Sequence, residues 1–238
     1  MARNYRGINR SKGFRDFSVV TWLIVVTSII SVLVFILSGI YCSSSETECG
    51  VFDFFALKPS NILQGQYLWT LVLHMFVHGG VGHLLINMFV LFSLGGLCER
   101  IIGRKRFFWF YIVSGVFAGL LSVVLSGFFG LSDLGAKIFG SPGIFMVGAS
   151  GAIFAIAGLY VILLPRLRFA IIFFPFFSFP GYILIPLVLF GVWILSVIFG
   201  WPVGNVAHFG GFIVGIGYGI YLKRKYRKKV KMLQRMIR

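Results

Sequence analysis

Residues 205–222 read NVAHFGGFIVGIGYGIYL, an apolar run with one histidine near its start and glycines at 211, 215 and 219. Counted from His208, those glycines fall three, seven and eleven residues on, so a helix would carry them as a stripe on the histidine's own face. A bare stripe lets a second helix approach closely, which is how small residues are used where lipid surrounds the helices. A matching stripe lies in residues 146–164, MVGASGAIFAIAGLYVILL, where Gly151, Ala155 and Gly158 follow Ser150 at helical spacing.

The surroundings of these two stretches identify the solvent. Of the 238 residues 58% are hydrophobic and 12% charged, 28 are Phe, and the mean hydropathy is +0.96, far too apolar for a water-soluble domain. Six apolar stretches are long enough to be read as membrane spans, at about 18–41, 80–98, 107–127, 147–164, 182–199 and 205–222. The expected fold class is an all-α membrane protein of six transmembrane helices. Its expected organisation is an N-terminal segment 1–17, a six-helix domain 18–222 and a basic tail 223–238. No heptads, solenoid periods or low-complexity linkers interrupt it.

All but Lys58 and Lys137 of the 22 basic residues fall on one side of these spans. Lys and Arg resist translocation, so that side is expected to be cytoplasmic and both termini to lie there, in a multi-pass protein of the cell membrane. The net charge of +16 is thus a topology signal. The tail KRKYRKKVKMLQRMIR reads as a solvated or lipid-headgroup-binding anchor, with membrane lipids as its partner, and nothing supports nucleic-acid binding. The first span is too long for a cleavable signal peptide and lacks a small-residue cleavage site. Cys42 and Cys49 follow it on the outer side, and the sequence leaves open whether they pair or stay as thiols.

A polar group in hydrocarbon is costly when left alone, so each one needs a partner or a task. His83 and Asn87 are four apart in HLLIN and share one face of span two near its outer end. His208 opens span six and Ser150 opens span four, also at the outer end. Gly148 to Leu164 gives only about 25 Å of helix, so Ser150 is expected to sit below the outer surface, reached by water through a cavity. The stripes with Gly151, Gly211 and Gly215 are expected to pack the two helices closely enough for His208 to take the serine's proton. His74 and His78 precede span two and read as interfacial packing or cavity-lining groups. A metal site at His74, His78 and His83 is not expected, with no thiol or carboxylate near to complete it.

Other chemistries lack their residues. No Glu follows any of the four histidines as HExxH would need, and the six acids lie near loops or span ends. GASGA departs from the G-x-S-x-G elbow at Ala152, and no acid stands near His208 to complete a triad. A serine with a histidine base remains, and a dyad is an accepted variant of that chemistry.

GASGAIFA, HGGVGHLLINM, LGGLCERIIG and AHFGGFIVG together resemble the motifs of the rhomboid family of intramembrane serine proteases, in order, over about residues 66–222. The resemblance implies a six-helix rhomboid fold, with Ser150 as nucleophile and His208 as general base. It further implies an oxyanion hole made by His83, Asn87 and the Ser150 N–H. Substrates would be transmembrane segments entering sideways near span five and the loop GWPVGN. The family's frequent Trp-Arg pair in the first outer loop is replaced by Tyr67, Leu68 and Trp69.

The expected function is therefore cofactor-free, metal-free hydrolysis of a peptide bond in or beside a transmembrane helix. Substrates with Gly or Ser near the scissile bond are favoured, because the helix must unwind locally. The alternative is a catalytically inactive rhomboid-like protein that binds transmembrane segments. A transporter or channel would need polar residues strung through the membrane and inverted repeats, and neither is seen. Substrate and oligomeric state are not legible.

Overall fold

The computed structural model describes residues 18–42, 50–171 and 174–236; the expected N-terminal segment 1–17, Glu46, Glu48 and Cys49 lie outside them. Its elements run α1 (Val19–Tyr41), α2 (Gly50–Phe55), α3 (Pro59–Leu63), α4 (Thr70–Leu73), a 3-10 turn at His74–Phe76, α5 (Val81–Ile102) and α6 (Arg104–Phe129). There follow α7 (Asp133–Phe139), α8 (Ser150–Leu163), strands β1 (Arg168–Ile171) and β2 (Phe174–Pro180), α9 (Gly181–Phe199), α10 (Asn205–Lys225) and α11 (Arg227–Met236).

The fold is an all-α membrane architecture. Among the described residues five helices, α1, α5, α6, α9 and α10, are long and apolar enough to cross a bilayer. The remaining expected span, α8, is shorter: 14 residues from Ser150, about 21 Å of helix against the ~30 Å of a hydrocarbon core. It is also the most enclosed, with Ala152, Ala155, Ile156, Leu159, Tyr160 and Leu163 all buried. A helix surrounded by other helices need not match the bilayer, because protein covers its ends.

Lipid-facing and core-facing surfaces are both apolar, so polar and small residues set the packing. Gly211 and Gly215 of α10 lie directly on α8: a Cβ at Gly211 would strike the Gly151 carbonyl, and one at Gly215 the Ala155 carbonyl. Gly158 of α8 returns the contact against the Phe212 carbonyl, and a Cβ at Gly151 would come within 2.8 Å of Ala118 on α6. Gly219 faces a side chain instead, Ile162, at 2.8 Å.

Hydrogen bonds then fix the neighbours. Tyr160 donates to the Leu94 carbonyl on α5 (2.5 Å), and Asn205 Nδ2 of α10 to Ser196 Oγ on α9 (2.6 Å). Glu99, buried at the end of α5, accepts from the Val19 and Val20 N–H groups (3.1 and 3.0 Å), two orphan donors of the α1 N-terminus, and pairs with Arg104 at 3.5 Å.

The connections are more ordered than their composition suggests. Residues between spans one and two, expected only as an outer loop, contain α2, α3, α4 and the 3-10 turn. The join after α8 holds an antiparallel pair, with Arg168 opposite Pro180 and Phe169 opposite Phe179. The basic tail forms α11, whose Val230 is buried and whose Gln234 Nε2 donates to the Leu163 carbonyl at 2.9 Å. Cys42 is disulfide-bonded and Cys98 is a free, buried thiol.

Candidate active site

Ser150 is the first residue of α8, and the chain that delivers it is held at Met146, Gly148 and Ala149. Met146 and Leu57 exchange backbone hydrogen bonds (2.7 and 3.0 Å), and the Gly148 N–H donates to the His74 carbonyl (2.8 Å). The Ala149 N–H donates to His78 Nε2 (3.4 Å). Gly148 stands at φ +123°, where a side chain would be strained, and its missing Cβ leaves room for the His83 ring, whose Nε2 would be 3.1 Å from it. These contacts explain why small residues precede the serine.

His208 lies one turn into α10. Its Nε2 is 2.8 Å from Ser150 Oγ, within hydrogen-bond reach for proton transfer. The ring stacks on Phe154 of α8, centroids 4.6 Å apart and planes at 28°. Phe154 is one turn beyond Ser150, so a single helix presents both the hydroxyl and the platform that orients the imidazole. Sequence reasoning passed over Phe154; the available signal was an aromatic at i+4 from the serine.

His83 and Asn87 occupy the neighbouring face of α5. The Gly79 N–H donates to His83 Nδ1 (3.4 Å), so a neutral ring carries its hydrogen on Nε2, the nitrogen next to Gly148. Asn87 is buried and donates one amide hydrogen to the His83 carbonyl (2.9 Å), leaving the second unassigned. Ser150, His208 and His83 are thus gathered at one place, while Asn87 lies one turn further along α5 with half its donor capacity turned back on the helix.

His74 and His78, expected as interfacial packing or cavity-lining groups, are buried and hydrogen-bonded. His74 Nδ1 contacts the Thr70 carbonyl (2.9 Å), and its ring lies over Gly119 of α6. His78 completes a chain with one consistent direction. Because Nε2 accepts from Ala149, Nδ1 carries the hydrogen and donates to Ser31 Oγ on α1 (3.1 Å), whose hydroxyl donates to the Phe76 carbonyl (3.1 Å). Only a neutral ring can do this. Burial holds His78 at about 3, with a contribution from His83, and His74 at about 4, both well below the usual 6.5.

Among the described residues no group of three His, Cys, Asp or Glu side chains is placed to hold a metal. The arrangement can supply a hydroxyl beside a base and donors beside the hydroxyl.

Comparison with known proteins agrees in kind. Residues 65–225 match the family model described as Rhomboid domain. The chain is 29% identical over 171 residues to the rhomboid protease GlpG of Haemophilus influenzae, covering 71% of this chain and 77% of that protein. It is 32% identical over 191 residues to the rhomboid protease GluP of Bacillus subtilis, covering 78% of this chain and 32% of that one. Similarity to the human presenilin-associated rhomboid-like protein, mitochondrial, is 31% over 156 residues, 63% of this chain and 37% of that protein. The chain therefore spans most of the first relative but only about a third of the other two.

Proposed function

The chain belongs to the rhomboid family, and on that premise we propose that it is an intramembrane serine endopeptidase cleaving peptide bonds in or next to transmembrane segments. The observation that carries this reading is the 2.8 Å contact between Ser150 Oγ and His208 Nε2 at the meeting of α8 and α10. Residues 18–222 are the catalytic unit and the segments beyond it are flanks. The protein is a multi-pass one of the cell membrane, with both termini on the cytoplasmic side.

Ser150 Oγ attacks the scissile carbonyl carbon while its proton passes to His208 Nε2. The tetrahedral oxyanion is met by the Ser150 N–H, His83 Nε2–H and the second Asn87 amide hydrogen. Collapse expels the leaving amine, which takes the proton from His208, and leaves an acyl-serine. Water, deprotonated by His208, attacks that ester, and His208 then returns the proton to Ser150 Oγ as the carboxylic acid product leaves. Phe154 keeps the imidazole in plane through both transfers, a task a carboxylate performs in a triad. The substrate span enters beside α9.

Labelling with a fluorophosphonate probe tests the nucleophile. The wild-type chain is expected to label once, at Ser150, and Ser150→Ala not at all. A wild-type protein that stays unlabelled while binding a transmembrane segment would make it the inactive, segment-binding member of the family.

A further inference from the structure

The end of the molecule opposite Ser150 carries a polar concavity. α10 breaks at Tyr226 and α11 folds back under the ends of α8 and α10. Its apolar edge is used for docking: Val230 is buried, Leu233 packs on the main core, and Gln234 bonds the last carbonyl of α8. Between the three helices lies a cleft of about 600 Å³, lined by Ile162, Ile220 and Val230 together with Lys223, Arg224, Arg227 and Lys231. A neighbouring cleft of about 470 Å³ shares Lys223 and Gln234 and adds Arg166 and Tyr182.

Among the described residues no carboxylate lines either cleft. Elsewhere, Glu99 serves Val19, Val20 and Arg104, and Asp53 accepts from Asn61 at 2.9 Å. Four cations thus line the first cleft and a fifth, Arg166, its neighbour, with no anion beside them among the described residues. A topology bias requires only that cations be numerous on one side, and exposed Arg100 and Lys105 would serve it as well. It does not require that they surround an apolar floor. That floor exists because Gly219 lacks a side chain and lets Ile162 lie against α10, beside the half-exposed Ile220.

We propose that this cleft binds the phosphate headgroup of an anionic glycerophospholipid, with Arg227, Lys231, Arg224 and Lys223 around the phosphate and an acyl chain along Ile162 and Ile220. The ligand must be anionic to match uncompensated cations and amphiphilic to cover the floor. It must also stand at the membrane surface, where two buried helices end. A free phosphate meets only the first condition. The bound lipid stitches α11 to the ends of α8 and α10.

The test is native mass spectrometry of the full chain in neutral detergent, titrated with dioleoylphosphatidylglycerol, dioleoylphosphatidylcholine or inorganic phosphate. The wild type is expected to retain phosphatidylglycerol about tenfold more than phosphatidylcholine, the scale of one to two cation–headgroup contacts. Arg227→Gln with Lys231→Gln should abolish the preference. Lys223→Gln, which leaves α11 unaltered, should weaken it. Arg100→Gln with Lys105→Gln, of equal charge change outside the cleft, should leave it intact. Equal loss in both double variants, preference surviving all of them, or displacement of the lipid by inorganic phosphate at equal concentration would overturn the assignment.

Discussion

Asn87 has two amide hydrogens and commits one of them to the His83 carbonyl. In the proposed mechanism the other meets the oxyanion only as negative charge develops, so Asn87→Ala should lower kcat by about 10²-fold with little change in KM, as loss of one oxyanion donor does. Steady-state kinetics on a transmembrane substrate decide this; a change confined to KM would assign Asn87 to substrate binding. Ser31 acts at longer range. It fixes the His78 tautomer that accepts from Ala149, the residue before the nucleophile. Ser31→Ala frees the ring to place its hydrogen on Nε2, where it would face the Ala149 N–H. The expected result is a loss of about 1 kcal/mol in stability together with a roughly tenfold fall in kcat. Ser31→Thr, which keeps the hydroxyl, should restore both. A role in helix packing alone would leave kcat of the folded fraction unchanged. Neither Ser31 nor Phe154 was legible beforehand, because a serine in an apolar span and an aromatic in a helix are common, and only their tertiary partners distinguish them. Ser150 and His208 stood out because each opens an apolar stretch within a motif, GASGAIFA and AHFGGFIVG; their 2.8 Å contact is visible only in the structure.

At the scale of the element, the α8–α10 contact sets the distance between His208 and Ser150, on which the proposed mechanism depends. A side chain at Gly211 meets the Gly151 carbonyl, next to Ser150, and one at Gly215 meets the Ala155 carbonyl one turn on. Backbone cannot move aside as a side chain can, so both substitutions force the helices apart. Gly211→Val should reduce cleavage by about 10²-fold or more, since a shift of about 1 Å in a catalytic pair costs that much. Gly215→Val should cost somewhat less. Gly219→Val meets only the Ile162 side chain, far from Ser150, and should be the mildest. Cleavage by each variant in detergent, matched for folded protein, checks the order; Gly219→Val as the most damaging would break the link between this stripe and the dyad. Both glycine stripes were visible as spacing. The β1–β2 pair and α11 were not: RFAI and FPFFSFP have no helical or alternating period, and charge in the tail concealed the recurrence of Tyr226, Val230 and Leu233 along one edge.

Across the whole molecule, two neutral buried histidines tie stability to pH. His74 and His78 stay unprotonated in the folded protein down to about 4 and about 3, whereas the unfolded chain protonates both below 6.5. Their folded values are depressed, so stability is complete above about 6.5 and is lost as pH falls toward 4, by about 1.4 kcal/mol per pH unit for each ring. Thermal unfolding in detergent should show Tm falling over this window, less steeply in His78→Gln; a Tm independent of pH would contradict the buried neutral pair. The six apolar stretches were plain from hydropathy, and α8 is the shortest of the corresponding helices, since length in a membrane is dictated by lipid only for helices that touch lipid.

The central claim, hydrolysis by Ser150 with His208 as base, is tested most directly by reconstituting the purified chain in liposomes with a single-span substrate and mapping the products by mass spectrometry. The account predicts scission of a bond in or beside the substrate's span, reduced at least about 10³-fold in Ser150→Ala and in His208→Ala with the fold intact. Scission that persists in Ser150→Ala, or a wild-type chain that binds the span and leaves it whole, would contradict it.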